Sequence, residues 1–212
     1  ITERYDGYGN SIRRVMEQKK RVPGIRGVVA DILKVEKEYE TAIETALGGS
    51  IQNIVTDNED TAKELIGFLK KNKYGRATFL PLTSMNNKKP LNNFQVLKEP
   101  GVIGIASDLV KVAEEYQGLA VYLLGRTLVV DHIDHGIGIA RKYHYSIRMV
   151  TLEGESLNPG GSLTGGSFKN NSNLLGRRRE IEELQDTVEA LKKDMEEMQK
   201  KLEEYREKRN QY

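Results

Sequence analysis

The stretch most suggestive of chemistry is Asn158–Arg179, NPGGSLTGGSFKNNSNLLGRRR, with its glycine pairs Gly160-Gly161 and Gly165-Gly166. Paired glycines permit positive φ and let another backbone approach closely. Their catalytic reading is a phosphate-binding loop, which requires G-x-x-x-x-G-K-[ST] with the lysine directly after the last glycine. Here Ser167 and Phe168 follow Gly166, Lys169 comes later, and no helix opens at once. A nucleotide- or ligand-binding α/β domain using this loop therefore stays as the alternative. The structural readings are a tight turn between strands and a close contact with another chain. Leu163 and Phe168 are the only large apolar residues from Asn158 to Asn173. That suits a strand pair whose glycines admit a second chain.

The run Asp131-His132-Ile133-Asp134-His135 has metal-ligating residue types. An equivalent run elsewhere, Asp57-Asn58-Glu59-Asp60, shares only Asp-x-x-Asp at a helix start, which is capping chemistry. No Ser-His-Asp or Cys-His set stands in a recognisable context. The acidic pairs sit on solvated helical faces, so nothing points to a general acid–base dyad. The expectation is no enzyme, no cofactor and no metal. Basic clusters occur at Lys19-Lys20-Arg21, at Lys169 and at Arg177-Arg178-Arg179. Brought together, they give modest, salt-sensitive, sequence-independent DNA affinity; the competing reading is a solvated face that adds solubility. Lys70, Lys71, Lys73 and Arg76 gather at a helix end, where cations are favoured anyway.

The elements that position these residues follow from pattern. The 212 residues hold no cysteine, which excludes disulfides and thiolate metal sites and fits a reducing cytosol. No apolar run approaches the length of a membrane span. The chain begins at Ile1 rather than Met and lacks a signal peptide, so it is read as a segment of a longer protein. Net charge is +2, but Glu180–Tyr212 holds 11 acidic and 7 basic residues, leaving the remainder mildly basic at +6.

Two halves repeat each other. GIRGVVADILKV from Gly24 aligns with GVIGIASDLVKV from Gly101 at an offset of 77 positions. After a three-residue deletion, IVTDNED from Ile54 aligns with LVVDHID from Leu128 at an offset of 74. These ordered matches suggest two subdomains from a duplication. Each half reads as a short apolar segment, a helix (Glu36–Leu47 or Val112–Leu124), a strand (Ile51–Val55 or Thr127–Val130), a second helix (Glu59–Lys71 or Asp134–Tyr143) and a closing strand (Ala77–Leu80 or Ile147–Leu152). Gly48 and Gly125 stand where helix C-caps favour glycine, and Asp57 and Asp131 offer N-caps. The fold class is mixed α/β, with mixed sheets and packed helices. Thr83–Asn93 is polar and reads as the linker between halves.

Coiled-coil patterns flank this domain. Ile181, Leu184, Val188, Leu191, Met195, Met198, Leu202 and Tyr205 are spaced 3 and 4 in strict alternation, an a/d seam over about four heptads. Tyr5, Tyr8, Ile12 and Val15 form a shorter seam, the expected antiparallel partner, so the two ends should make a coiled-coil stub. The expected division is a coiled-coil segment over 1–20, a first subdomain over 21–90, a second with the glycine motif over 91–172, and a coiled-coil segment over 173–212.

The motifs GIRGVVADIL, AIETALGGSIQNIVTD, GRATFLPL, VTLEGESLNPGGSLTGGS and LLGRRREIEEL, in this order, resemble the hinge of bacterial SMC chromosome-partition proteins. The resemblance runs from about Tyr8 to Leu184. It implies a two-subdomain hinge that forms a ring-shaped homodimer, subdomain one of each chain meeting subdomain two of the other. It places the family's glycine motif on Gly160, Gly161, Gly165 and Gly166 at the dimer interface. It further implies long antiparallel arms, ATPase heads and kleisin-type partners on the full-length protein, weak DNA binding, and a cytoplasmic, nucleoid-associated location. Many bacterial members carry a lysine run after the TGG; here only Lys169 remains, which lowers the DNA affinity expected at that spot.

Overall fold

In the computed structural model, the described residues are 8–167 and 173–210. The chain divides into a globular unit reaching Leu175 and a helical unit from Gly176 onward.

The first half of the globular unit runs α1 (Asn10–Glu17), β1 (Ile25–Val28), α2 (Val29–Ile32), β2 (Lys34–Val35), α3 (Glu40–Leu47), β3 (Ile54–Thr56), α4 (Glu59–Asn72) and β4 (Phe79–Pro81). The second half runs β5 (Val102–Ile105), β6 (Val110–Lys111), α5 (Gln117–Leu124), β7 (Thr127–Val130), α6 (Ile133–Lys142) and β8 (Arg148–Thr151). It then adds a hairpin, β9 (Ser156–Leu157) and β10 (Leu163–Thr164), before the long helix α7 (Leu174–Asn210).

Both halves pair their strands alike. β1 runs antiparallel to β3 with a bulge at Ile25/Gly27, and β5 runs antiparallel to β7 with a bulge at Val102/Gly104. The closing strands β4 and β8 are parallel to β3 and β7. The sheets are therefore mixed: β1-β3-β4 in one half and β10-β9-β8-β7-β5 in the other. The central strands IVT and TLVV are buried at every position, as expected of strands covered on both faces. A two-stranded ribbon joins the halves, with Lys34 opposite Lys111 and Val35 opposite Val110.

Three apolar clusters organise the interior. One is shared between halves: Val29, Ala42 and Ile43 pack with Ala106, Leu119 and Leu124. A second lies under α4 in the first half and a third under α6 in the second. Burying these side chains contributes roughly 1.5–3 kcal/mol each, so the shared cluster binds the two halves into one compact unit. The polar linker is part of that body. Met85 is buried, the Leu91 N–H donates to the Gly125 carbonyl at 2.7 Å, and Lys88 Nζ reaches the Tyr122 carbonyl at 3.2 Å.

Several local expectations shift. The strand expected from Ile51 begins at Ile54, because Gly48–Gln52 continue α3 as a tight turn of 3-10 helix. Gly48 does end α3 at φ +54°, but Gly125 has φ −70°. At Gly125 the constraint is space: a Cβ would sit 2.5 Å from the Val121 carbonyl oxygen. The N-caps fall one residue later than expected, on Asn58 and His132. Helix α1 also differs from expectation. Its 3-and-4 periodicity serves the globular core, with Ile12, Val15 and Met16 buried among Val28, Ile54, Leu65 and Leu69. Ile12 and Val15 are thus part of the globular unit's own core rather than a coiled-coil seam; Tyr5 lies outside the described residues. The tail is one continuous helix, and its seam residues Ile181, Leu184, Val188, Leu191, Met195, Met198, Leu202 and Tyr205 are all exposed.

Candidate interface site

The glycine motif lies on the outer edge of the five-stranded sheet. β9 turns back on β8, pairing Ser156 with Val150. The chain then reverses through Asn158–Ser162, where the Asn158 N–H donates to the Ser162 carbonyl at 2.9 Å and the Gly161 N–H to the Asn158 carbonyl at 3.0 Å. Gly160 and Gly161 carry φ of +89° and +101°, in a region that side chains rarely adopt. β10 follows, Leu163 opposite Leu157 and Thr164 opposite Ser156. Among the described residues β10 has no strand on its other side, and 160–167 are all exposed. A Cβ on Gly165 would touch Glu155 Cγ at 3.0 Å, and nothing lies within 4 Å of one on Gly166.

This hairpin rests on the end of α6. There the Tyr145 N–H returns to the Ala140 carbonyl at 2.8 Å, closing the helix, with His144 and Tyr145 at φ +56° and +55°. Two consecutive non-glycine residues in that region cost about 1 kcal/mol or more each, so the surroundings must hold them. The Gly160 N–H donates to the Tyr145 carbonyl at 2.8 Å, and the Tyr145 ring lies 3.5 Å from where a Gly161 Cβ would project. Just upstream, Glu99 receives Lys142 at 2.5 Å and the Tyr143 hydroxyl at 3.0 Å. These two partners, Lys142 foremost, hold the Glu99 carboxyl below its usual range.

The histidine run serves α6 as a cap. His132 Nδ1 accepts from the Asp134 N–H at 3.2 Å, and His135 Nδ1 bonds Asp131 Oδ1 at 2.7 Å. That bond depresses the Asp131 carboxyl. In the first half Thr61 Oγ1 donates to Asp57 at 2.6 Å with the same effect. The Asp–His and Asp–Thr pairs both crowd a glycine, Gly101 or Gly24, whose carbonyl accepts the Asp N–H at 2.8–2.9 Å.

The basic residues divide. Lys19 and Lys20 are exposed after α1. Arg177 is exposed on α7, while Arg178 and Arg179 reach Glu182 and Glu183 one turn on, at 3.4 and 3.0 Å. Lys169 lies outside the described residues. Sequence reasoning missed Glu44, a half-buried carboxylate on α3 that accepts the Leu174 N–H at 3.1 Å at the start of α7. It also missed Tyr145, whose position depends on α6 ending at Lys142, three residues before it. No helix among the described residues is long and apolar enough to cross a membrane.

Residues 22–140 match the family model for the SMC proteins flexible hinge domain. The chain belongs to the SMC hinge family. It is 44% identical over 194 residues to the chromosome partition protein Smc of Desulfitobacterium hafniense, and 42% identical over 193 residues to that of Clostridium kluyveri. Those alignments cover 89% and 87% of this chain; it spans 16% of the length of each of these curated relatives. The hinge domain of Geobacillus stearothermophilus SMC, crystallised as an asymmetric dimer, is 37% identical with a TM-score of 0.80. That match covers 89% of this chain and 77% of the other. The mixed α/β fold expected from the sequence is thus a hinge-family fold.

Proposed function

We infer that this chain is the hinge through which two copies of a longer SMC protein join, in the service of chromosome partition. The observation that carries the reading is the open edge of β10, with Gly160, Gly161, Gly165 and Gly166 exposed along it. An unpaired edge strand is an association hazard unless something covers it. A second copy supplies a matching edge: β4 closes the first half's sheet with no strand beyond it among the described residues. Under a two-fold axis each β10 meets the partner's first half, and every contact occurs twice. That a hinge 37% identical to this chain crystallised as a dimer supports the pairing of two copies.

The part played is structural, with the ATPase heads and kleisin-type partners belonging to the rest of the protein. The exposed seam of α7 continues as an arm with a helical partner from the same protein. DNA contact is weak, sequence-blind and salt-dependent, through Lys19, Lys20, Lys169, Arg177, Arg178 and Arg179. The test is mass by light scattering. The parent chain should run as a dimer, and Gly165→Glu/Gly166→Glu as a folded monomer with an unchanged circular dichroism spectrum. A variant that stays dimeric overturns the edge reading and favours a ligand loop, which melting with and without nucleotide would detect.

A further inference from the structure

The two long helices α4 and α6 end alike, and the tyrosines that close them differ in what covers them. In the first half Lys73 takes the left-handed position and the Tyr74 N–H returns to the Leu69 carbonyl at 3.1 Å. In the second half His144 takes that position and Tyr145 returns to Ala140. Tyr74 is covered within the chain. Its ring packs on Phe68 with centroids 5.7 Å apart, and the Arg14 guanidinium from α1 lies 4.8 Å from its centre. Asn10 of α1 reaches its carbonyl at 3.5 Å. At Tyr145 the Gly160 N–H takes over the role of Asn10, and one side of the ring lies within 4 Å of where a Gly161 Cβ would project. No aromatic or cation covers the other side among the described residues, and Tyr145 is 44% exposed. Leu163 on β10, of the same hairpin, is 55% exposed.

We propose that Tyr145 and Leu163 are the apolar anchors by which this edge takes up a second copy of the chain. The proposal rests on the edge reading above and deepens it by naming the side chains that bind. Three observations converge on it. The patch is continuous with the unpaired edge, because Gly160 and Gly161 physically join Tyr145 to β10. Two backbone hydrogen bonds hold Tyr145 in a strained conformation, so its backbone enters an interface already ordered. The equivalent tyrosine shows what such a ring takes as cover in this fold: an aromatic edge and a guanidinium. Tyrosine is also among the residue types that dominate interface energetics.

Dimer dissociation would be measured by sedimentation over a dilution series for the parent, Tyr145→Ser, Tyr145→Phe and Leu163→Ser, beside Gly165→Glu/Gly166→Glu. The expected result is a dissociation constant raised about 30-fold by Tyr145→Ser and about 10-fold by Leu163→Ser, with Tyr145→Phe close to the parent. If both serine variants stay within threefold of the parent while the glycine variant is monomeric, the anchors are wrong and the edge reading stands. If the glycine variant is also dimeric, both fall. Should Tyr145→Ser fail to fold, Leu163→Ser decides, because its side chain is exposed and contributes little to the monomer.

Discussion

The two halves of the globular unit share one succession of strands and helices, yet they finish it differently. The first half closes under α1, whose Ile12, Val15 and Met16 fill the cluster beneath α4 and whose Asn10, Ser11 and Arg14 engage Tyr74–Arg76. Among the described residues the second half has no such helix. In its place stands the β9–β10 hairpin, two residues per strand, with an exposed outer edge. A sheet that ends under a helix is complete in one chain. One that ends in an exposed strand keeps backbone groups on its outer edge for a further strand to meet. The difference is that the end of α4 is covered from within the chain, whereas the hairpin beside α6 is exposed.

That contrast can be broken by substitution. The largest stability effect should come at the crowded glycines. Gly101 has φ +85° and a Cβ there would lie 2.5 Å from Asp131 Oδ1, so Gly101→Ala should cost about 3 kcal/mol from backbone strain and overpacking together. Gly24 meets Asp57 and Thr61 equally closely without the positive φ, so Gly24→Ala should cost about 2 kcal/mol. Urea unfolding of both variants measures the difference, and equal costs would remove the backbone share. Next come the tyrosines. In a chain made monomeric by Gly165→Glu/Gly166→Glu, Tyr74→Ala should lose about 2 kcal/mol and Tyr145→Ala about 0.5 kcal/mol. Equal losses would mean that Tyr145 serves the monomer after all.

A smaller effect concerns Glu44. Burial pushes its carboxyl up, against the pull of the Leu174 N–H. A raised folded-state pKa favours the neutral group, so its contribution is present at low pH and lost as pH rises. Glu44→Gln keeps a neutral acceptor and should hold or raise stability at neutral pH, whereas Glu44→Ala leaves the N–H at the start of α7 unmet and should cost about 1 kcal/mol. Thermal melts compare the two; equal melting points would show that the bond to Leu174 contributes nothing. The smallest effect is acid sensitivity. Asp57 and Asp131 are depressed by Thr61 and His135 respectively, so their contribution is present above the unfolded carboxylate pKa and fades as pH falls through the folded values. Asn at both positions should flatten the acid limb of the stability curve, and an unchanged limb would place acid sensitivity elsewhere.

Much of this was legible because the repeat is written in residues with physical duties. Gly24 and Gly101, Asp57 and Asp131, and the apolar runs around Ile54 and Leu128 recur at fixed offsets, and the structure gives both sets the same elements. The glycine pairs suited a strand pair as one of several readings, and the structure places them on the β9–β10 hairpin. The misreadings share a cause. A 3-and-4 spacing shows that α1 has an apolar face and says nothing about what that face meets, so Ile12 and Val15 were assigned to a coiled coil. Gly125 does end α5 as expected, but glycine there answers to the closeness of the Val121 carbonyl rather than to a positive φ, and that closeness leaves no mark in sequence. Glu44 and Tyr145 depend on contacts 130 and 15 residues away in the chain, which local pattern does not carry.

The central claim is that β10 is an edge completed by a second copy. Amide hydrogen exchange at residues 163–166, followed at concentrations well above and well below the dimer dissociation constant, tests it most directly. The account predicts slow exchange in the concentrated sample and fast exchange on dilution, while the buried amides of β7 stay slow in both. Fast exchange at 163–166 in a sample shown by mass to be fully dimeric would contradict it, because the two copies would then be meeting somewhere else.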